Sequence, residues 1–305
     1  MNIAVCVLLY GAALTWLGPP MLARLTSTGA SPRLALTAWL TAMALAGLAW
    51  IVTGTGLLLE TLGIHIAKPE RFCVDMALGA GHLGWAGGAA LDAVTAAASA
   101  VTISVVLRVF LAAYRFWQRS REHAHTARLL GAPTDWAETV VLTSPAATAY
   151  CVAGRPDAIV VTTGALAALS DAELAAVLTH EQAHLRGRHP QLLILFRALA
   201  TSMPRLPLFT RGFEHVGRLL EMRADDIAAQ RHGRQALLGG LLRLAGAFPA
   251  GATAVGAAET AVLERVARLV APAGVRAQLP ERIALTATLV ALTVAPIVIT
   301  KICHR

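Results

Sequence analysis

His180-Glu181-Gln182-Ala183-His184 sets two imidazoles four residues apart with a carboxylate beside the first. Four residues is about one turn of a helix, so both histidines project from one face and can reach a single metal ion. Zinc accepts such donors and keeps one position open. Glu181 would stand beside that position, where it can take a proton from water. The chemistry this pattern supports is metal-assisted hydrolysis of a peptide bond, with Glu181 as base and later as proton donor to the leaving amine.

The flanking residues predict a helix in the right place. Ser170-Asp171-Ala172-Glu173 reads as a capping box, and Leu174, Val177 and Leu178 recur at helical spacing, so the motif falls mid-helix. Upstream, β-branched Ala158 to Thr162 ends at Thr163-Gly164, a strand followed by a turn. Thr139 to Thr143 and Thr148 to Val152 read as shorter strands, separated by Pro145. A second helix is expected from Phe213 to Gln230, ended near Gly233, with Glu221 and Asp225 on one face. A catalytic zinc needs a third protein donor, and Glu221 is the candidate. Asp225 would then accept a hydrogen bond from a ligand histidine and fix its tautomer, with Asp226 as competitor for that task. The alternative is that these carboxylates are solvated helix charges paired with Arg218 or Arg223.

A small sheet, a His-Glu-x-x-His helix and a later helix bearing Glu-x-x-x-Asp together resemble the integral-membrane gluzincins. These include the HtpX and CAAX-processing proteases and the beta-lactam-sensor (antirepressor) metallopeptidases. The resemblance covers about Ala158 to Gly233. It implies a zincin-like α+β domain holding Zn2+ on His180, His184 and Glu221, with Glu181 as general base and Asp225 behind the ligands.

Composition extends the resemblance to a membrane layout. The chain has 305 residues, 56% hydrophobic and 14% charged, which is too apolar for an ordinary soluble domain. Asn2 to Ala23, Leu34 to Leu59, Leu91 to Leu111 and Ile283 to Thr300 are expected to span a bilayer, the first kinked or ended early at Gly18-Pro19-Pro20. No basic segment precedes the first run, so it reads as a span rather than a signal peptide. The expected fold is therefore an α-helical membrane protein of about four transmembrane helices with an inserted metalloprotease domain. Residues 1–111 form three spans, 112–280 the domain, and 281–305 the fourth span and a tail.

Arg24 and Arg33 follow span one without an acid, whereas Glu60, Lys68, Glu70, Arg71 and Asp75 after span two carry no basic excess. Arg108, Arg115, Arg119, Arg121 and Arg128 follow span three against Glu122. The positive-inside rule then puts both chain ends outside and the protease domain in the cytoplasm of a plasma-membrane protein. This order resembles the beta-lactam sensors, which place a cytosolic zinc domain between the third and fourth spans. No Ser-x-x-Lys is present and the sequence ends at Arg305, so a penicillin-binding sensor domain is not expected here. A signal would enter through the outer loop, the spans or a separate sensor partner.

Much of the basic excess behind the net charge of +8 lies in the run Arg108 to Arg128, where attraction to anionic lipid is a simpler account than direct nucleic-acid binding. Arg186, Arg188 and His189 are expected to extend the active-site helix, and Gln191 to Met203 to be buried or laid against the bilayer. Cys6, Cys73 and Cys303 would face outward and Cys151 inward, without metal-ligand spacing; the expectation is buried small residues, with a disulfide among the outer three as the alternative. His65 and His82 stand alone, Gly79 to Gly88 suggests a loose loop or close packing, and Gly246 to Gly256 a linker. Ala158 to Thr162, or Thr148 to Val152, could present an edge to an extended substrate, and His215 and Arg218 are candidate transition-state donors. Three functions follow. Cleavage of a cytosolic repressor in response to a membrane signal leads, degradation of membrane proteins in the HtpX manner competes, and a catalytically weak receptor is the third.

Overall fold

Backbone amides in an apolar run find partners most completely within a helix, and the uncharged segments fold that way. A computed structural model describes residues 3–61, 84–245, 255–271 and 274–303. The long helices are α1 (Ile3–Leu25), α2 (Pro32–Thr61), α3 (Gly84–Leu130) and α10 (Val275–Cys303). Each contains a stretch long and apolar enough to cross a membrane: Cys6–Leu25, Pro32–Gly56, Ala93–Leu130 and Gln278–Ile299. Lys68, Glu70, Arg71, Asp75, Cys73, His65, His82, Gly79, Gly81 and most of the expected linker lie outside the described residues.

Of the two expectations for Gly18-Pro19-Pro20, a kink or an early end, the early end is corrected: α1 does not end at Gly18 but runs through Pro19 and Pro20 to Leu25. Leu14 and Leu22, on either side of the prolines, are anchored in one core with α2, and this packing carries the helix past the missing donors. α3 does not stop near Leu111 either. Its 47 residues reach about 70 Å, so the basic half continues the apolar half as one rod.

The end of that rod carries the sheet. β1 (Ala132–Pro133), β2 (Thr139–Leu142), β3 (Ala149–Val152) and β4 (Ala158–Thr162) stand in the order β1-β2-β4-β3, with β2 and β4 parallel and the other pairs antiparallel. All five residues of β4 are buried, which explains an unbroken apolar run where a one-sided strand would alternate. Ala158 and Val160 pack on Ala124 and Ala127 of α3, while Ile159 and Val161 meet Val177, Leu178 and Leu185 on the opposite side. The period of two thus clamps the sheet between α3 and the helix bearing the His-Glu-x-x-His motif.

After the short α4 (Thr163–Ala168), capped by Thr162, come α5 (Asp171–Arg186), α6 (His189–Ser202), α7 (Pro207–His232), α8 (Arg234–Ala245) and α9 (Val255–Val270). The capping box at Ser170 forms, with Glu173 accepting from the Ser170 backbone N–H at 2.8 Å. α7 begins at Pro207, earlier than the expected Phe213, because a proline at the first helical position starts a helix without loss of a bond. One face of α7 (Leu208, Phe209, Val216, Leu219, Leu220) enters a core with Trp39 and Met43 of α2, Leu22 of α1 and Leu285 of α10. α6 lies between α3 and α7, with Phe196 in the same core and Arg197 set 4.8 Å over the Phe116 ring. The apolar helices and the helix carrying Glu221 therefore share one hydrophobic interior.

Candidate active site

α5 crosses α7, and their facing sides are where the charged residues lie. His180 and His184 project together from α5, their Nε2 atoms 3.1 Å apart. Across the crossing, the two Glu221 carboxylate oxygens divide between these nitrogens, Oε2 standing 3.4 Å from His180 and Oε1 3.4 Å from His184. Two donors each about 2.1 Å from a tetrahedral ion are themselves roughly 3.4 Å apart, so the three side chains already have the spacing that a zinc ion requires. Among the described residues, His180, His184 and Glu221 form the one group of this kind.

The surroundings also suit a cation. Burial alone would lower the His180 imidazole, but the carboxylates of Asp225 and Glu221 outweigh it and carry the group to about 9. Glu221 is likewise raised by burial and then drawn well below the usual carboxylate range by His180, His184 and Arg265. Its side chain remains 37% exposed, so the cluster opens to solvent on that side. Asp225 is 1% exposed and sits 3.1 Å from His180 Nδ1, at hydrogen-bonding distance although off the line of the N–H. Asp226, its competitor, faces away and pairs with Arg268 at 2.8 Å. Glu181 is buried beside the histidines; burial raises its carboxyl, and the neighbouring imidazoles oppose that rise. Cys151 of β3 lies next to it, and burial followed by the Glu181 charge pushes this thiol up.

Two residues of the site were not legible in the motif. His189 does not extend α5. The helix ends at Arg186, Gly187 caps it, and Arg188 takes a left-handed conformation (φ 52°) that turns the chain into α6. A Cβ at Gly187 would come within 2.4 Å of the His189 ring, so only glycine permits the fold-back. His189 is thereby buried with its Nδ1 2.9 Å from Nδ1 of His184, and burial with the nearby His184 lowers it to about 4. It does for His184 what Asp225 does for His180: it engages the ring nitrogen turned away from the cluster. The second is Arg265 of α9, whose Nη2 and Nε lie 2.7 and 2.8 Å from the two Asp225 oxygens and whose Nη1 lies 3.2 Å from Glu221. A hint lay in its place on an amphipathic helix, but nothing local says which face meets the site.

The residues proposed as transition-state donors are elsewhere. His215 stacks on Trp39 at 4.8 Å, and Arg218 pairs with Glu264 and donates to the Thr26 carbonyl. Helical phase turns His215 from Glu221 toward α2, whereas Arg218, one turn before Glu221, is drawn off by Glu264 and the α1–α2 loop. β4 is central and offers no edge, whereas β3 has β4 as its one strand neighbour and runs beside α5. Cys6 is disulfide-bonded and Cys151 is free, so the outer cysteines are not all simply buried.

Residues 113–273 match peptidase family M48, more than half of the chain and all of the residues above that surround the cluster. The chain belongs to peptidase family M48. It is accordingly a metallopeptidase of a zinc-dependent family, and its His/His/Glu cluster is consistent with that dependence. No curated protein and no solved structure matches this metallopeptidase.

Arg265 is the cation that compensates two carboxylates of the metallopeptidase, one of them fully buried. Removing one partner of such a pair strands a charge, so Arg265→Gln should cost about 3 kcal/mol, measured by denaturation of chelator-treated protein. A loss within error of zero would mean that Asp225 needs no counter-charge.

Proposed function

We propose that this M48 member is a multi-pass membrane metalloendopeptidase whose zinc is held by His180, His184 and Glu221. The observation that carries the reading is the convergence of the two Nε2 atoms and the Glu221 carboxylate at ligand spacing. When bound, zinc supplies a Lewis acid that acidifies water and polarises a carbonyl. Glu181 is the base. Its raised carboxyl suits it to accept the proton of the attacking water and return it to the leaving amine. Asp225 and His189 hold His180 and His184 in the tautomer that presents Nε2. The free edge of β3, next to Glu181 through Cys151, is where an extended substrate would add as a strand.

Purified protein is expected to hold close to one zinc per chain, lost in His180→Ala, His184→Ala and Glu221→Ala. Glu181→Gln should keep the metal and lose proteolysis by roughly a hundredfold or more. Metal analysis and peptide cleavage on the same samples separate the two roles, and zinc loss in Glu181→Gln would reverse the assignment.

The candidate spans support a layout in which the domain at about 112–280 is inserted before the last helix. The basic residues after span three favour its cytoplasmic orientation. Reporter fusions after Arg33 and Arg128 should be cytoplasmic and those near Glu70 and after Arg305 external. An external reporter after Arg128 would rule out cytosolic substrates.

This order also supports the beta-lactam-sensor type of function: regulated cleavage of a cytosolic repressor, with the signal entering through the spans or a separate partner. A second reading, quality control of membrane proteins, draws support from the core that α7 shares with α1 and α2, which keeps the site close to the apolar helices. Proteomics of a Glu181→Gln strain distinguishes them. One or a few stabilised DNA-binding proteins with a silenced regulon are expected. A broad rise in membrane proteins would transfer the assignment to quality control, and an unchanged proteome would return it to the receptor.

A further inference from the structure

The helices that build the cluster also build a second space. The α1–α2 loop, the flank of α7 turned from the cluster, α9 and the start of α10 enclose an open cavity of about 1130 Å³. Arg33, Arg218, Arg234, Arg268 and Arg282 line it. Two of these are neutralised, Arg218 by Glu264 at 3.0 Å and Arg268 by Asp226 at 2.8 Å. The other three make no ion pair among the described residues, although the Glu281 carboxylate accepts from the Thr28 hydroxyl and the Ser31 backbone N–H on the same wall, so five guanidiniums there face three carboxylates. Arg282 donates to Ser31 Oγ at 3.2 Å and to Gln278 Oε1 at 2.8 Å, while Arg33 and Arg234 make no ion pair or side-chain hydrogen bond among the described residues. Like charges gathered around one concavity raise its potential and favour an anion there.

The position of the cavity narrows the anion. Cys6–Leu25 ends just before it, and Pro32–Gly56 and Gln278–Ile299 begin at it, so three apolar segments terminate together at its wall. That is the level of lipid headgroups for any bilayer these segments cross, whichever side it faces. Guanidinium forks match phosphate oxygens in pairs, and the Ser31 hydroxyl, which accepts from Arg282, keeps its own O–H to donate on the same wall.

We propose that this cavity binds a phosphate-bearing anion, and that its occupancy steadies the metal cluster through α9. Glu264 and Arg268 of α9 form the cavity wall, and Arg268 also donates to the Gly29 carbonyl at 3.1 Å. Arg265, between them in sequence, grips Asp225 and Glu221. An anion shared by Arg268 and the unpaired arginines ties α9 to the loop and to α10, and so holds Arg265 on the carboxylates. The anion site rests on the cavity alone; its link to the metal rests in addition on the zinc reading above.

The test uses the full chain in a neutral detergent, titrated with short-chain phosphatidylglycerol, short-chain phosphatidylcholine and inorganic phosphate, with binding followed by calorimetry. Phosphatidylglycerol is expected to bind well above phosphatidylcholine, and Arg33→Gln/Arg234→Gln/Arg282→Gln to weaken it roughly tenfold or more. The corresponding triple lysine variant, which keeps the charge and loses the paired donors, should bind between the wild type and the glutamine variant. Inorganic phosphate competing as strongly as the lipid would identify a free phosphate as the ligand and still support the site. Equal affinity of wild type and the glutamine variant for both anions would overturn it. Should the triple variant not fold, Arg234→Gln, an exposed change at the start of α8, is compared in the same way. Release of zinc to a chelator should slow on anion addition in the wild type and not in the glutamine variant. An unchanged rate in the wild type would remove the coupling while leaving the site, and absence of zinc altogether would count against the metal reading alone.

Discussion

The structure depends on the cost that a buried carboxylate imposes where α5 and α7 cross. Asp225, fully buried, and Glu221, open to solvent on one side, are brought against two imidazoles, and an uncompensated charge at Asp225 would cost several kcal/mol. Every neighbour can be read as an answer to that cost. His180 and His184 face the carboxylates, Arg265 clamps Asp225 from α9, and the cluster has the spacing of a metal site. A cation at the centre would satisfy all of these groups at once, which is why the family's dependence on zinc and the shape of this cluster agree.

Holding α7 in register against α5 demands rigid support from behind. The support is apolar. Leu219 and Leu220 are adjacent in sequence to Glu221, and both are buried in the core formed with Trp39, Met43 and Leu22. On the other side, the sheet is pinned between Ala124 and Ala127 of α3 and the inner face of α5. α1, α2 and α3, the helices with the composition of membrane spans, are thus the frame against which the two site helices are set. A displacement in that frame has a short mechanical route to the cluster.

Much of the site was legible because its geometry is local. The spacing of four from His180 to His184 puts both rings on one face of any helix, and the same period puts Glu221 and Asp225 together. The capping box at Ser170 and the β-branched run at Ala158 to Thr162 likewise act over a few residues. Composition alone located the apolar helices, since a run without charge has few ways to satisfy its backbone other than helically. Their ends were less legible: α1 passes two prolines because packing outweighs those breakers, and α3 passes Leu111 because the basic residues that end its apolar run are still helix formers.

The pairing of distant elements was decided by tertiary structure. Which flank of α7 faces α5 depends on where the apolar helices receive Leu219 and Leu220, and that choice sends His215 to Trp39 and Arg218 to Glu264 instead of the cluster. Arg265 reaches Asp225 across a sequence separation of 40, a contact no spacing rule encodes. His189 turns back on His184 through a left-handed Arg188 and a glycine whose role shows only once the ring beside it is in place. Strand order is of the same kind: β4 became the centre and β3 the edge because both faces of β4 found helices to cover them. The sequence by itself determined the donors and the helices that carry them, since those follow from a period of 3.6 residues. Only the packed chain decided their partners and counter-charges, because these arise where apolar faces far apart in sequence meet.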